Sequence, residues 1–382
     1  MGAEPRRERR TVDPTVTWFG GGAHLRGAVE AWLRGEPSEV SALRDGPRRT
    51  VVRLDVDGAP ILVKRFRSGL GPLERLKRRL GLGAAEREWR ALVALREAGV
   101  PVPAPTAWAQ LSGGDQLLLT EWLTGSSLGE WVAGSRGERR RSFAAVGETV
   151  AKLHRAGFVH GDLHADNVFL TEEGPVLLDL QSALRSRSAR RRLADLGDLD
   201  YSLWLRSRIS DRIALRRGAL AATRDLRSAL REVGLAAGTR ARRHIRSRSR
   251  HALRPGRRFV AFSWHGGHGL RLREVPAENL ERCLAEHRRL LDAGASGVIK
   301  DDGRSRLTRV ECGLGQAVVK EVPTPRGARR IFDLVRGGAA RRAFGASYGL
   351  ETQGLMSPRA LAFLEFRGPL GVRGSILVSE DL

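Results

Sequence analysis

Lysine is almost missing from this sequence. The 382 residues carry 67 basic side chains, and only Lys64, Lys77, Lys152, Lys300 and Lys320 are lysine. The formal charge of +24 is therefore an arginine charge. In a chain also rich in alanine and glycine this points to GC-rich coding, so part of the charge is compositional background. Against it, a lysine on an apolar strand marks a place that wants a compact point charge rather than a planar fork. Cysteine is as scarce. Cys283 and Cys312 offer neither metal-ligand spacing nor a disulfide framework, which fits a reducing, cytoplasmic setting. No apolar run approaches the length of a membrane span. Met1 to Arg10 is charged and lacks the apolar centre of a secretory leader. No Walker A motif occurs, so the P-loop class has no support.

What is present begins with a series of strand signals. Residues 1–13 read as a basic, solvated lead. Thr15–Gly22 predicts a short strand, and His24–Arg34 a helix with Leu25, Val29, Trp32 and Leu33 as its apolar positions. Strands are expected near Ser38–Leu43, over Thr50–Val56 and over Ile61–Phe66, with turns at Asp45–Arg49 and Asp57-Gly58. Leu73–Leu80 is basic and helix-compatible. Ala84–Ala98 predicts a helix stopped by Gly99, with Pro101 and Pro103 beyond. Leu117–Leu123 reads as a buried strand leading into a hinge. Ser126–Val132 and Arg141–Ala156 are expected to be helical, and arginine-rich helices run on to about Ala236.

The chemistry is concentrated in His160-Gly161-Asp162-Leu163-His164-Ala165-Asp166-Asn167, followed by a predicted hairpin and then Leu177-Leu178-Asp179. Phosphoryl transfer needs this kind of set. One carboxylate takes the proton of the attacking hydroxyl, and an amide oxygen with a second carboxylate holds Mg²⁺ on the phosphates. The spacing H-x-D-x-x-x-x-N resembles the catalytic loop of the protein-kinase-like superfamily, and that resemblance implies Asp162 as base and Asn167 and Asp179 as metal ligands. Lys64, at the end of an apolar strand, is placed to contact the α- and β-phosphates. Glu88 is the candidate for aiming Lys64, with Glu86 half a turn away as the alternative. Backbone groups around Glu121 to Leu123 are the candidate adenine contacts.

Lys64, Glu88, Glu121, His160–Asn167, Asp179 and the basic segment Arg190–Leu196 together resemble the bacterial lipopolysaccharide-core (Kdo/heptose) kinase family, a branch of the protein-kinase-like superfamily. The likeness covers roughly Val16–Arg258. It implies an α+β, bilobal protein-kinase-like fold, ATP and Mg²⁺ as cofactors, and an acceptor hydroxyl on Kdo or heptose of the lipopolysaccharide inner core. It also implies that Asp195 braces the catalytic loop, with Asp198 as the other candidate. Two features depart from the superfamily pattern. No glycine-rich motif precedes Lys64, so the Asp45–Arg49 turn has to cover the phosphates, and Leu180-Gln181 replace the Phe-Gly that follows the metal aspartate. Small-molecule and protein phosphotransferases share the same motifs, and a non-catalytic kinase-like scaffold is the reading from another class.

The sequence also repeats itself. Val16–Gly21 matches Phe262–Gly267, Val63-Lys64-Arg65 matches Val319-Lys320-Glu321, and Leu119-Thr120-Glu121 matches Val378-Ser379-Glu380. From lysine to helix-ending glycine is 35 positions in the first copy (Gly99) and 34 in the second (Gly354). The expected organisation is thus a lead (1–13), a kinase N-lobe (14–123), a C-lobe with an arginine-rich tail (124–258), and a partial second N-lobe (259–382). The second copy has Ala343 where Glu88 should recur and carries no catalytic loop, so by itself it is not expected to be a kinase. Arg240–Arg258 between the copies is dense in arginine and serine. It lacks the interleaved aromatics and motifs of nucleic-acid binders, and suits either an anionic inner-membrane surface or a solvated linker. His265 and His268 are read as structural.

Overall fold

The computed structural model describes residues 15–381 except 37–38, 68–82, 135–138, 295, 312, 314, 324–332, 334–335 and 370. The basic lead and the segment Leu73–Leu80 thus lie outside the described residues. The chain is α+β and divides into two compact units, residues 1–238 and 239–382.

The first unit opens with a six-stranded antiparallel sheet. Its strands are β1 (Val16–Gly20), β2 (Val40–Asp45), β3 (Arg49–Val56), β4 (Ala59–Phe66), β5 (Pro105–Leu111) and β6 (Gln116–Glu121), in the order β1-β5-β6-β4-β3-β2. The β3–β4 connection is the Asp57-Gly58 turn, where both residues have positive φ, as a two-residue hairpin of this type requires. The strand alternation sends two sets of side chains to opposite faces. Val52, Leu54, Ile61, Val63, Leu117 and Leu119 pack with Leu25 and Val29 from the first helical segment, which includes α1 (Arg26–Arg34). Phe66 and Leu118 belong to the other face, which meets α2 (Ala84–Glu97) through Ala85, Leu92 and Leu95. Burying each such Leu or Val contributes about 1.5–3 kcal/mol. Lys64 lies two residues from Phe66 and pairs across the sheet with Leu118, so alternation places it on the α2 face.

The helical part of this unit holds α3 (Leu128–Gly134), α4 (Arg139–Arg155), α5 (Ala189–Ser202), α6 (Ile209–Leu220) and the first part of α7 (Leu226–Ala252). Short strands stitch it together. β7 (Ser126–Ser127), β9 (Val168–Thr171) and β10 (Gly174–Leu177) form one small sheet, and β8 (Phe158–Val159) pairs with β11 (Leu184–Arg185). The core runs through Phe143, Val146, Val150 and Leu153 of α4, which fall on one helical face. The segment Ser126–Val132, expected to be helical throughout, begins instead as β7. Ser127 accepts a hydrogen bond from the Glu130 amide while Glu130 accepts one from the Ser127 amide, a capping box that delays the helix to Leu128.

The division between the units falls inside α7. The stretch Arg240–Arg258, open between linker and binding surface in the sequence, is helical as far as Ala252. Ile245, Ser249 and Leu253 lie against Gly345 and Gly349, whose missing side chains make that approach possible. The second unit is a seven-stranded antiparallel sheet of β12 (Phe259–Trp264), β13 (Gly267–Leu272), β14 (Val298–Asp301), β15 (Arg306–Glu311), β16 (Gln316–Val322), β17 (Ala360–Gly368) and β18 (Gly371–Glu380), with α8 (Ala277–Ala293) and α9 (Ala339–Glu351). Its order is β12-β13-β17-β18-β16-β15-β14. Leaving out β12, the order matches the first sheet strand for strand, and α8 and α9 occupy the chain positions of α1 and α2. The registers also agree. Lys64 pairs with Leu118 three residues before Glu121, and Lys320 with Leu377 three residues before Glu380. One sequence equivalence is displaced, because β13, rather than the Trp264-bearing β12, takes the sheet position of β1. His268 bonds Ser263 across the β12–β13 hairpin at 2.9 Å.

Candidate active site

The Lys64 ammonium meets Glu88 Oε1 at 2.6 Å, with side-chain exposures of 11% and 1%. Glu86 instead pairs with Arg90 on the surface of α2. That resolves the two helix candidates by helical phase: position 88 faces the sheet with Ala85, Leu92 and Leu95, whereas position 86 does not. Glu88 Oε2 has no hydrogen-bond partner among the described residues. A buried pair of this kind is costly to break from one side, because the remaining charge is left unpaired.

The loop at 160–167 is held from three directions. Asp195, at the start of the buried face of α5, accepts hydrogen bonds from the amides of His160 (2.6 Å) and Gly161 (3.0 Å), and its Oδ2 lies 3.2 Å from His154 Nε2. Gly161 has φ 79°, and a Cβ there would stand 2.7 Å from the Ser182 carbonyl. A side chain at this position would therefore break the loop. His160 is pushed below the usual histidine range chiefly by burial, against the pull of Asp195. Its Nε2 lies 2.9 Å from the Leu178 carbonyl, so the neutral ring donates there, tying the loop to the segment that carries Asp179. Third, the Ala165 amide donates to Ser202 Oγ, and Arg206 pairs with Asp166 at 3.1 Å. Ser202 and Arg206 were not legible as part of this site. They act on it from 37 and 40 positions away, with no motif around them.

Asn167 donates from its side-chain nitrogen to the Asp162 backbone carbonyl at 2.9 Å, and its backbone carbonyl accepts from the Leu178 amide at 2.9 Å. These two bonds tie Asn167 to Asp162 and to the residue before Asp179. The nitrogen of the Asn167 side chain is engaged, so its oxygen is what it has to offer a cation. Asp179 sits in the left-handed backbone region, φ 58°, which aspartate tolerates better than most residues. Burial pushes its carboxyl up, but the charge of Lys64, with the hydrogen bond and charge of Arg49, outweighs that and holds it below the usual aspartate range. Two hard oxygen donors, one of them held ionised, fit Mg²⁺. No cluster of three His, Cys, Asp or Glu side chains is assembled among the described residues. A metal here would depend on phosphate oxygens to complete its shell.

At the hinge, the Glu121 amide donates to the Ala104 carbonyl, and the Glu121 carboxylate accepts from the Ala104 amide at 2.6 Å. Both bonds fix the end of β6 to the segment before β5. The Asp45–Arg49 turn is closed by the Gly46 amide on the Arg49 carbonyl, and it sends Arg49 to Asp179 at 2.9 Å. The role of Arg49 escaped the sequence reading, which treated the turn as a glycine-poor cover for phosphates.

A strand lysine paired to a helix glutamate, beside a loop bearing an aspartate and an asparagine and a segment bearing a second aspartate, is the arrangement that protein-kinase-like phosphotransferases use. Residues 70–217 match the lipopolysaccharide kinase (Kdo/WaaP) family. The chain is similar to a 3-deoxy-D-manno-octulosonic acid kinase of Xylella fastidiosa, 29% identical over 46% of this chain and 73% of that protein. It is also similar to a probable bifunctional tRNA threonylcarbamoyladenosine biosynthesis protein of Methanosarcina acetivorans, 28% identical over 49% of this chain and 32% of the relative. The EKC/KEOPS complex subunit bud32 of Emericella nidulans is 30% identical over 35% of this chain and 55% of the relative. The chain thus spans about a third and about half of the lengths of these last two proteins.

Proposed function

We propose that the first unit is an ATP-dependent phosphotransferase acting on a sugar hydroxyl, with Kdo or heptose of the lipopolysaccharide inner core as acceptor. The observation that carries the reading is that hydrogen bonds of Asn167 tie it to Asp162 and to Leu178, the residue before Asp179. The match to the lipopolysaccharide kinase family supports the acceptor class. In this reading residues 14–123 supply the nucleotide-side lobe and residues from 124 the acceptor side. ATP lies between them, its adenine against the Glu121 carbonyl and the Leu123 backbone. Lys64, aimed by Glu88, holds the α- and β-phosphates. Asp162 takes the proton of the acceptor hydroxyl as the oxygen attacks the γ-phosphorus and the bond to the β-phosphate oxygen breaks. Bound Mg²⁺, held by Asn167 and Asp179, would neutralise charge on the phosphates. The test is a phosphoryl-transfer assay offering core oligosaccharide, aminoglycosides and a generic protein substrate in parallel. Transfer to core oligosaccharide is expected. Transfer confined to another acceptor would move the protein to a different branch, and nucleotide binding without any transfer would make it a scaffold.

The second unit is read as a partial N-lobe copy, supported by the repeated strand order and the matching lysine register. Lys320 is exposed and lines a cavity of about 770 Å³ with Ser305, Gly338, Ala343, Ser375 and Leu377. Ala343 cannot aim a lysine as Glu88 does. Lys64→Ala is expected to lower the transfer rate roughly ten- to a hundred-fold through lost phosphate positioning, whereas Lys320→Ala should leave it within about two-fold. Two nucleotides bound per chain with similar affinity, measured by calorimetric titration, would contradict a single active site.

Peripheral contact with an anionic inner-membrane surface fits the C-terminal part of α7. Arg243, Arg246 and Arg250 along it and Arg254 just past its end recur every three or four residues and line one surface depression. No acidic residue occurs between Glu232 and Glu274 to neutralise them. Binding to vesicles containing anionic lipid is expected to weaken steeply as salt rises, since exposed charges are screened over about 8–10 Å near physiological ionic strength. Replacing the four arginines by glutamine should abolish it, and equal binding to neutral vesicles would refute it.

A further inference from the structure

We propose that Arg49 is a movable cation. It occupies the metal-binding carboxylate in the resting site and transfers to the phosphates when metal and nucleotide enter together. The inference rests on the reading of Asp179 as a metal ligand. The turn that delivers Arg49 is firmly built. Thr50 Oγ1 donates to Asp45 Oδ1 at 2.8 Å, Arg67 Nη2 reaches the same oxygen at 2.8 Å, and the Arg67 amide donates to the Arg48 carbonyl at 2.9 Å. From it the Arg49 guanidinium crosses 130 positions of sequence, and Nη1 lies 2.9 Å from both Asp179 oxygens. Each side chain is only 18% exposed, so water screens the pair less than it would a surface bridge.

Three consequences follow from the chemistry of the groups. A divalent ion approaching Asp179 meets a resident positive charge. Arginine cannot clear the way by losing its proton, so its side chain has to swing off the carboxylate. Once displaced, it stands half-buried without a counter-ion unless something anionic arrives. A triphosphate supplies that partner, and its oxygens match the guanidinium fork. Metal alone should therefore bind weakly, and metal with nucleotide strongly. A turn with little glycine thus covers the phosphates by charge, where backbone amides of a glycine-rich loop would otherwise do so.

The experiment is Mn²⁺ binding followed by electron paramagnetic resonance, with and without ADP, on the full chain and its Arg49→Ala, Arg49→Lys and Asp179→Asn variants. Asp179→Asn identifies the site by removing binding. Arg49→Ala is expected to tighten Mn²⁺ binding without nucleotide by roughly ten-fold and to shrink the enhancement given by ADP, in line with the usual size of coupling between sites. Arg49→Lys keeps the charge and should stay near the parent value. Thermal unfolding confirms that each variant is folded. Unchanged or weaker Mn²⁺ binding in a folded Arg49→Ala protein would overturn the proposal. Absence of ADP-dependent Mn²⁺ binding in the parent protein would instead count against the phosphotransferase reading itself, so the two failures are distinguishable.

Discussion

Asp162→Asn is expected to lower the single-turnover transfer rate by about 10²–10⁴-fold, the range that a positioned general base contributes, while nucleotide affinity changes by less than about two-fold. The separation follows from which atoms do what. Only the Asp162 carboxylate would receive the acceptor proton. Its carbonyl, which the substitution retains, holds the Asn167 side chain. Asparagine has nearly the same shape as aspartate, so the loop should keep its conformation. Rapid-quench kinetics with a saturating acceptor gives the rate, and titration with a fluorescent nucleotide gives the affinity. A variant that turned over at the parental rate would remove Asp162 from the mechanism. One that lost nucleotide affinity in parallel would make it a structural or binding residue.

Asp195→Ala is the second large effect, and it reaches both stability and activity. The buried carboxylate satisfies the amides of His160 and Gly161, and His154 stands beside it. Alanine would leave the buried His160 amide without its acceptor, at about 1–3 kcal/mol, while the part-buried Gly161 amide could turn to water. A loss of that size is a sizeable part of the stability of a typical domain. The melting temperature should fall markedly, and the residual folded protein should be slow because Asp162 follows directly on the released segment. Asp198→Ala, at the half-buried alternative position, should fall less in both measurements. Equal losses in the two variants would deny Asp195 its specific place.

The elements that hold the candidate site residues were legible because their signals are local. An apolar strand with one lysine, a helix stopped by glycine, and a loop with fixed spacing each announce themselves within a few residues. The pairing of Lys64 with Glu88 was legible to within half a helical turn, and the structure selects between 86 and 88 by which face packs on β4. Long-range facts were not accessible in the same way. Nothing near Arg49 indicates that it ends on Asp179, because the contact depends on how a turn and a distant hairpin are brought together. The continuation of α7 through Arg240–Ala252 was hidden by charge. The arginines there are exposed, and the small set Ile245, Ser249 and Leu253 that faces α9 is too sparse to read as a buried helical face. The substitution of β13 for β12 in the repeat was likewise invisible, since a matching tryptophan-glycine turn reports local shape and not which strand the sheet accepts.

Two sheets with one strand order in a single polypeptide create a problem of assembly. Every ladder in either sheet is antiparallel, so backbone hydrogen bonding alone does not forbid a strand of one from entering the other while the chain is still folding. Multidomain proteins with similar parts misassemble in this way. What separates the halves is the divergence of their side chains. A β4 strand placed in the second sheet would bring Lys64 to a helix with Ala343 and no Glu88, and would leave Glu88 buried without its lysine at home, whereas a β16 strand in the first sheet would set Lys320 at the register position of Lys64, so the discrimination falls on β4. The buried Lys64–Glu88 pair would then act as a recognition tag for its own sheet, penalising the exchanged partner before the core has closed.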